Sequence, residues 1–337
     1  MSTPAVQSGY ASRFGGMWID RPDFARSLAR KINSGAVPPH LEQPIKDFER
    51  DGVYVLRGAA SEADLDRFEA SISSAFRNGH DQLIAQGPAD RTPLPVTAGM
   101  QRRQSRVVDS FVVLPEALNL LSSPRLVEFL TVLFDEQPLL FQSLSFDMGS
   151  EQPIHQDTAY VVVDRPMELL ACWIALEDVR EGSGELRYIL GSHRLGDFDF
   201  GNKKHWDSAT DSVEVHERWI QWIHSESERQ ELKTEKFLAK RGDILVWHAD
   251  IAHGGSPITD ASLTRKSLVG HYCPISAQPF YMVHLPERTA RYQHNGIGYS
   301  SSYYNLSELN EHRSRPRAKP TFKTIAKQAL RKLALPR

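Results

Sequence analysis

From Pro138 onward, apolar and polar residues follow a period of two, as expected of strands whose side chains point to alternate faces. The candidate strands are Leu139–Asp147, Ile154–Val163, Leu169–Leu176, Leu186–Leu190, Glu235–Ala239, Asp243–His248 and Lys266–Tyr272. Turn clusters such as Glu181-Gly182-Ser183-Gly184 and Arg241-Gly242-Asp243 separate them. Many short strands of this kind predict an antiparallel barrel or a double-sheet jelly roll. Residues 195–232 interrupt the series with amphipathic, aromatic material (Trp206, Trp219, Trp222), expected to sit over one end of the barrel.

Upstream, the period is mostly helical. A short helix is predicted around Asp23–Ile32, inside an N-terminal arm (residues 1–40) that ends at Pro38-Pro39. Gly52–Arg57 alternates as a strand does. Ser61 is placed to cap a helix running to about Phe76, with Asp64 at the capping-box position. Residues 79–110 read as polar and irregular, with Arg102, Arg103 and Arg106 clustered, and Pro124–Phe134 reads as a helix.

Charge changes the picture at the C-terminal end. The net charge is −2 over 337 residues, yet residues 315–337 hold eight basic residues and no acidic one. Without them, 32 basic residues face 42 acidic ones, so the body carries −10. Phe322, Ile325, Ala326, Ala329, Leu330 and Leu333 form a helical apolar stripe in this tail. It can lie on an anionic membrane surface through residues 320–335, or dock on its own acidic body. The expected organisation is therefore an arm (1–40), a catalytic-sized domain (41–314) and a basic tail (315–337). Two cysteines, Cys172 and Cys273, are too few for a disulfide framework. The first residues lack a secretory pattern, so a cytoplasmic protein, in membrane-surface contact if the tail binds there, is expected. No second basic or aromatic platform accompanies the tail, and no nucleic-acid partner is expected.

The candidate chemistry lies in His155-Gln156-Asp157. On a strand, positions i and i+2 share a face, so both side chains can reach one ion. With a distant histidine they make the 2-His-1-carboxylate arrangement of non-haem Fe(II) oxygenases. Chance supplies about one His-x-Asp pair in a chain of this composition, and the sequence holds three, among them His248-Ala249-Asp250. Context favours the first. His253 follows the strand Asp243–His248 and precedes Gly254-Gly255, which let backbone approach closely. Arg265 comes 12 residues later, with Ser267 on the same face. A guanidinium suits bidentate capture of a carboxylate, and the hydroxyl adds a donor. His193 is expected to brace a loop, and His271 to line the core or a pocket wall.

The runs HQDTAYVVV, LLACWIALEDVREGSGELRYILGSH and KRGDILVWHADIAHGGSPITDASLTRKSLVGHY resemble the phytanoyl-CoA dioxygenase family over about residues 41–275. The resemblance implies a mainly β fold with flanking helices around a double-stranded β-helix (jelly-roll, cupin-like) core. It implies Fe(II) on His155, Asp157 and His253, with 2-oxoglutarate and O2 as co-substrates. Arg265 and Ser267 would hold the far carboxylate of 2-oxoglutarate, and Gln142 and Trp173 would line its pocket. The implied reaction is hydroxylation of an unactivated C–H, with succinate and CO2 as co-products. The retained carboxylate of Asp157 favours hydroxylation or desaturation over halogenation. Ile154, Leu190 and Ser183-Gly184 depart from the family pattern on the turn and substrate sides, which leaves the substrate open. A small molecule is expected, and the loop arginines and tail tilt it toward an anionic or lipid-linked one. The alternatives are a non-catalytic metal-binding jelly roll and a Zn-dependent hydrolase, since His and Asp also suit zinc.

Overall fold

The computed structural model describes residues 11–87 and 91–309; the basic tail therefore lies outside the described residues. The strands are β1 (Val53–Leu56), β2 (His80–Gln86), β3 (Leu94–Val96), β4 (Arg106–Val108), β5 (Pro138–Phe146), β6 (Leu170–Ala175) and β7 (Leu186–Ile189). They continue as β8 (Thr234–Phe237), β9 (Ile244–His248), β10 (His253–Gly255), β11 (Ser267–Pro274), β12 (Tyr292–His294) and β13 (Ile297–Tyr299). The larger sheet runs β1-β9-β6-β11-β5-β4-β2-β3 and is antiparallel along that path, with the β12–β13 hairpin joined parallel to β5. The smaller sheet is β10-β7-β8.

Side-chain parity explains the two layers. Ala171, Trp173 and Ala175 of β6, Leu245 and Trp247 of β9 and Val269 of β11 face the smaller sheet, where they meet Leu186, Tyr188 and Phe237. The intervening Leu170, Cys172, Ile174, Ile244, Val246, Leu268 and Tyr272 face a helical layer. That layer consists of α1 (Phe24–Asn33), α2 (Glu42–Asp51), α3 (Glu62–Asn78), α4 (Pro115–Leu121) and α5 (Pro124–Phe134). Burial on both faces is why these central strands read as nearly continuous apolar runs. Gly270 is needed where the helices press closest, since a Cβ there would lie 2.7 Å from Leu121 Cδ2. α4 and α5 together have the composition of a membrane span, but they are bent by 51° and packed in this core.

Three expectations change. Residues 79–110 are not irregular, because β2, β3 and β4 extend the larger sheet there. Two of these strands have three residues each, too short to display a period. Ile154–Val163 is not a strand. His155 makes one isolated bridge to His253, and the chain then turns into a 3-10 helix at Asp157–Ala159. The reason is a shared acceptor: the amides of Asp157 and Thr158 both donate to Ala249 O, and Tyr160 N closes back on Asp157 O. His253 follows β9 as expected, but it also opens a short strand of its own, β10, where none was expected.

The N-terminal segment is part of the core. Trp18, Ile19, Leu28 and Val37 belong to the same buried cluster as Phe48 and Phe129. Trp18 stacks on Phe24, and its Nε1 donates to Val132 O at 2.9 Å. The 195–232 insertion carries α6 (Val213–Arg229), and Trp219 and Ile223 from it pack with Ile154, Ala159 and Ala252 at one end of the barrel. Trp18→Ala is expected to cost about 3–5 kcal/mol in denaturant unfolding. An unchanged unfolding midpoint would show that the segment contributes nothing to the core.

Candidate metal centre

Two short backbone devices converge on one point. His155 and His253 exchange amide hydrogen bonds in both directions, each at 2.9 Å, which sets their side chains side by side with ring centroids 4.4 Å apart. The approach requires glycine after His253. A Cβ on Gly254 would sit 2.6 Å from Gln152 O, and one on Gly255 2.7 Å from Glu151 N. Asp157 enters from the 3-10 turn, its amide donating to Ala249 O at 2.9 Å. One ligand atom from each of His155, Asp157 and His253 then lies within 4.8 Å of the others. Asp157 Oδ1 is 3.7 Å from Nε2 of each histidine.

That spacing suits an ion with metal–ligand bonds of about 2.1 Å. Both histidines turn the same nitrogen inward. Each Nδ1 is spent on a carbonyl, Pro153 O at 2.8 Å for His155 and Ile251 O at 3.0 Å for His253, leaving both Nε2 atoms for a cation. The second oxygen of Asp157 is held from inside the barrel. Trp247 Nε1 donates to Oδ2 at 2.8 Å, and His271 Nε2 lies 3.5 Å from it. Burial opposes ionisation of Asp157, but His253, with His155 and His271, outweighs it and holds the carboxyl well below its usual range. Burial lowers His253 to about 4 against the opposing charge of Asp157. A neutral imidazole beside an ionised carboxylate is the state that binds a divalent cation.

Deeper in the barrel lies a set of donors without partners. Ser267, Val269 and His271 share the inward face of β11, opposite Ala175, Trp173 and Ala171 of β6. Gln142 of β5 faces His271 in register. Among the described residues, Trp173 Nε1, Arg265 Nε, Ser267 Oγ and His271 Nδ1 are buried without a hydrogen-bond partner. Arg265 is only 3% exposed, and its guanidinium stands 5.6 Å over the Trp173 ring. Burial lowers its pKa to about 10, partly offset by the charge of Glu185, so it stays cationic at neutral pH. A His/Asp/His group can hold a metal, and the unpaired arginine, hydroxyl and indole beyond it can hold a small carboxylate.

Other residues singled out by sequence are placed differently. His248 points to the helical side of β9, its Nε2 3.5 Å from Asp20 and its ring against His193. Neither it nor Asp250 joins the metal group. His193 braces the chain, with Nε2 against Glu49 O at 3.1 Å. Arg102 pairs with Glu69 and Asp147, Arg103 with the carbonyls of Ala261 and Leu263, and Arg106 with Gln86. None of the three lines the cleft of about 290 Å³ that opens over His155. Its walls are Gln152, Pro153 and Tyr160 on one side and His216, Glu217, Ile220 and Gln221 of α6 on the other. Tyr160 Oη and His216 Nε2 meet across it at 2.5 Å. Trp247 carried a readable signal, since it alternates with Leu245 on the inward face of its strand.

A jelly roll that gathers a metal-ready His/Asp/His group beside a buried, unpaired arginine is built as an Fe(II)/2-oxoglutarate oxygenase. The family model for phytanoyl-CoA dioxygenase (PhyH) matches residues 48–267, and the chain belongs to that family. It is 24% identical over 248 residues to the peroxisomal phytanoyl-CoA dioxygenase of Bos taurus, covering 69% of this chain and 68% of that one. The Mus musculus counterpart is 25% identical over 251 residues, with the same coverage. The fold is shared with the crystal structure of the epimerase SnoN in complex with Fe3+, alpha ketoglutarate and nogalamycin RO. That match has a TM-score of 0.54 at 19% identity and covers 78% of this chain and 99% of that one. The alpha ketoglutarate dependent carbocyclase SnoK matches with a TM-score of 0.53 at 16% identity, covering 72% and 88%. The protein is a 2-oxoglutarate-dependent dioxygenase with Fe(II) and 2-oxoglutarate as its cofactors.

The electrostatics predict a pH signature in metal-free protein. His253 is held near 4 in the fold but returns to about 6.5 when unfolded, so unfolding takes up a proton between those values. Its stabilising effect is complete above about pH 6.5 and is lost as pH falls toward 4. Thermal melts in a chelator should show His253→Gln with a shallower loss of Tm over that interval than the wild type; parallel curves would contradict the assignment.

Proposed function

We propose that this protein hydroxylates an unactivated C–H bond of a small molecule, with succinate and CO2 as co-products. In this reading His155, Asp157 and His253 hold Fe(II), while Arg265 and Ser267 hold the far carboxylate of 2-oxoglutarate. The observation that carries it is the buried Arg265, which makes no ion pair among the described residues. An unpaired buried guanidinium is costly, and a carboxylate delivered by a co-substrate removes that cost. A zinc hydrolase or a non-catalytic metal protein would have no use for it.

Bound iron supplies the oxidation chemistry with O2 and 2-oxoglutarate. The chain's own residues orient and exclude. Trp173 supports the guanidinium with its ring face and offers Nε1 to the co-substrate. Gln142 and His271, facing each other across β5 and β11, line the same space. Trp247 fixes one Asp157 oxygen and thereby leaves Oδ1 for the metal. α6, with Tyr160 and His216, covers His155 and keeps bulk water from the reacting carbon.

The same cleft bears on the substrate. It is lined by one acidic side chain, Glu217, and by no lysine or arginine. The loop arginines that pointed to an anionic or lipid-linked substrate are engaged elsewhere. The lining supports an uncharged or cationic molecule with an apolar body instead. Succinate release measured across a metabolite library should favour such compounds over acyl-CoAs; stimulation by acyl-CoAs alone would reverse this reading.

His155→Ala, Asp157→Ala and His253→Ala should each abolish Fe(II) binding, measured anaerobically, while His248→Ala retains it. Arg265→Lys exchanges a planar fork for a point charge. The 2-oxoglutarate concentration for half-maximal turnover should rise about tenfold or more, equivalent to about 1.4 kcal/mol, with iron retained. An unchanged dependence would place the anchor elsewhere.

A further inference from the structure

His248-Ala249-Asp250 contributes nothing to the metal group, yet its aspartate is wholly buried beside it. Asp250 has no solvent exposure and takes hold of both neighbours of Asp157. Its backbone carbonyl accepts from Gln156 Nε2 at 2.8 Å, and its Oδ1 accepts from Thr158 Oγ1 at 2.5 Å. Its Oδ2 meets Lys204 Nζ at 2.5 Å. The ligand-bearing turn is therefore gripped on both flanks by one residue.

Lys204 belongs to the 195–232 insertion and is itself only 4% exposed. Its second partner is Asp197, at 3.1 Å, which also accepts from Ser12 Oγ and Arg13 N. A second tie comes from α6, where Trp219 Nε1 donates to Gln156 Oε1 at 3.3 Å. The insertion thus reaches the residue before Asp157 directly and the residue after it through Asp250. A buried charge is tolerated only when paired, so the insertion cannot lift away without leaving the Asp250 carboxylate buried and unpaired.

We propose that Asp250 is a positioning residue for the metal carboxylate, and that Lys204 makes its grip depend on the insertion. Packing of residues 195–232 over the site and the aim of Asp157 are then one coupled arrangement. The inference rests on the metal-site reading given above. It gives the cleft a second role. α6 forms one wall, so a molecule seated there bears on the helix whose Trp219 holds Gln156. Occupancy of the cleft is then felt at the metal through this network as well as through His155, over which the cleft opens.

The alternative is that the network only fastens the insertion to the barrel. Co(II) binding to the full chain separates the two, read by titration calorimetry and by the visible d–d absorption. Thr158→Val removes one hydroxyl at constant volume; it should weaken Co(II) about tenfold and shift the band, and Thr158→Ser should restore both. The double variant Lys204→Met/Asp250→Asn, which removes both charges of the wholly buried pair together, should weaken Co(II) similarly and expose residues 195–232 to limited proteolysis. Wild-type affinity and spectrum in both Thr158→Val and the double variant, with only a lower Tm, would overturn the proposal. Wild-type protein that binds no Co(II) would instead overturn the metal-site reading, and the clamp with it.

Discussion

Everything at the metal centre depends on a single antiparallel contact between segments almost one hundred residues apart. His155 and His253 face each other and exchange both amide hydrogen bonds. Directly opposed residues project their side chains to the same face, so the pairing itself produces two adjacent imidazoles. A one-residue slip would send one ring to the other side. Two features prevent the slip. Gly254 and Gly255 fit against the backbone of residues 151–154 where no other residue can. Ala249 O captures the next amides and turns the chain before a longer ladder can form. The carboxylate arrives by that turn and not by strand alternation.

The barrel interior divides into a saturated region and a deficient one. Around Asp157 nearly every polar atom is spoken for, by Trp247, His271, Ala249 and the residues flanking the turn. A few ångströms deeper the opposite holds, with Arg265, Ser267, Trp173 and His271 each keeping a buried polar atom unpaired. Folded proteins satisfy most buried polar groups, so several orphans facing one space mark a site suited to a polar ligand. The saturated region explains rigidity, and the deficient one explains affinity. Together they separate the groups that can hold a metal from those that can hold a small carboxylate.

Much of this was readable in the chain, and the limits are physical. The long strands were marked as apolar runs bounded by turn clusters, because both their faces are buried. The helix at 124–134 agrees to the residue with its pattern. Strands of three residues, such as β3 and β4, hold too few positions to show any period. The three metal-group residues and Arg265 stood out through order and spacing along one chain. Their supporting residues did not, because Trp247, His271, Asp250 and Lys204 acquire their roles from which strands and loops become neighbours. Part of that was recoverable. His271 lies four positions after Ser267, on the same face of one strand, and Trp247 two after Leu245.

The fold alone does not choose a reaction, and in this molecule the choice falls to the least regular part. The strands supply the deep donors, which can hold a small carboxylate. The cleft above His155 is built half from residues 152–160 and half from α6 of the insertion. The first half also carries two of the three metal-group residues, so the surface that meets the substrate and the turn that aims the carboxylate are one piece of chain. On this near wall, recognition and reactivity therefore cannot be tuned separately. Any change that reshapes the near wall of the cleft also moves Asp157, whereas α6 can vary on its outer turns while Trp219 keeps its bond to Gln156. In the proposed reading, substrate specificity is best altered through Glu217, Ile220 and Gln221 of the far wall, whereas His216 bonds to Tyr160 on the near one.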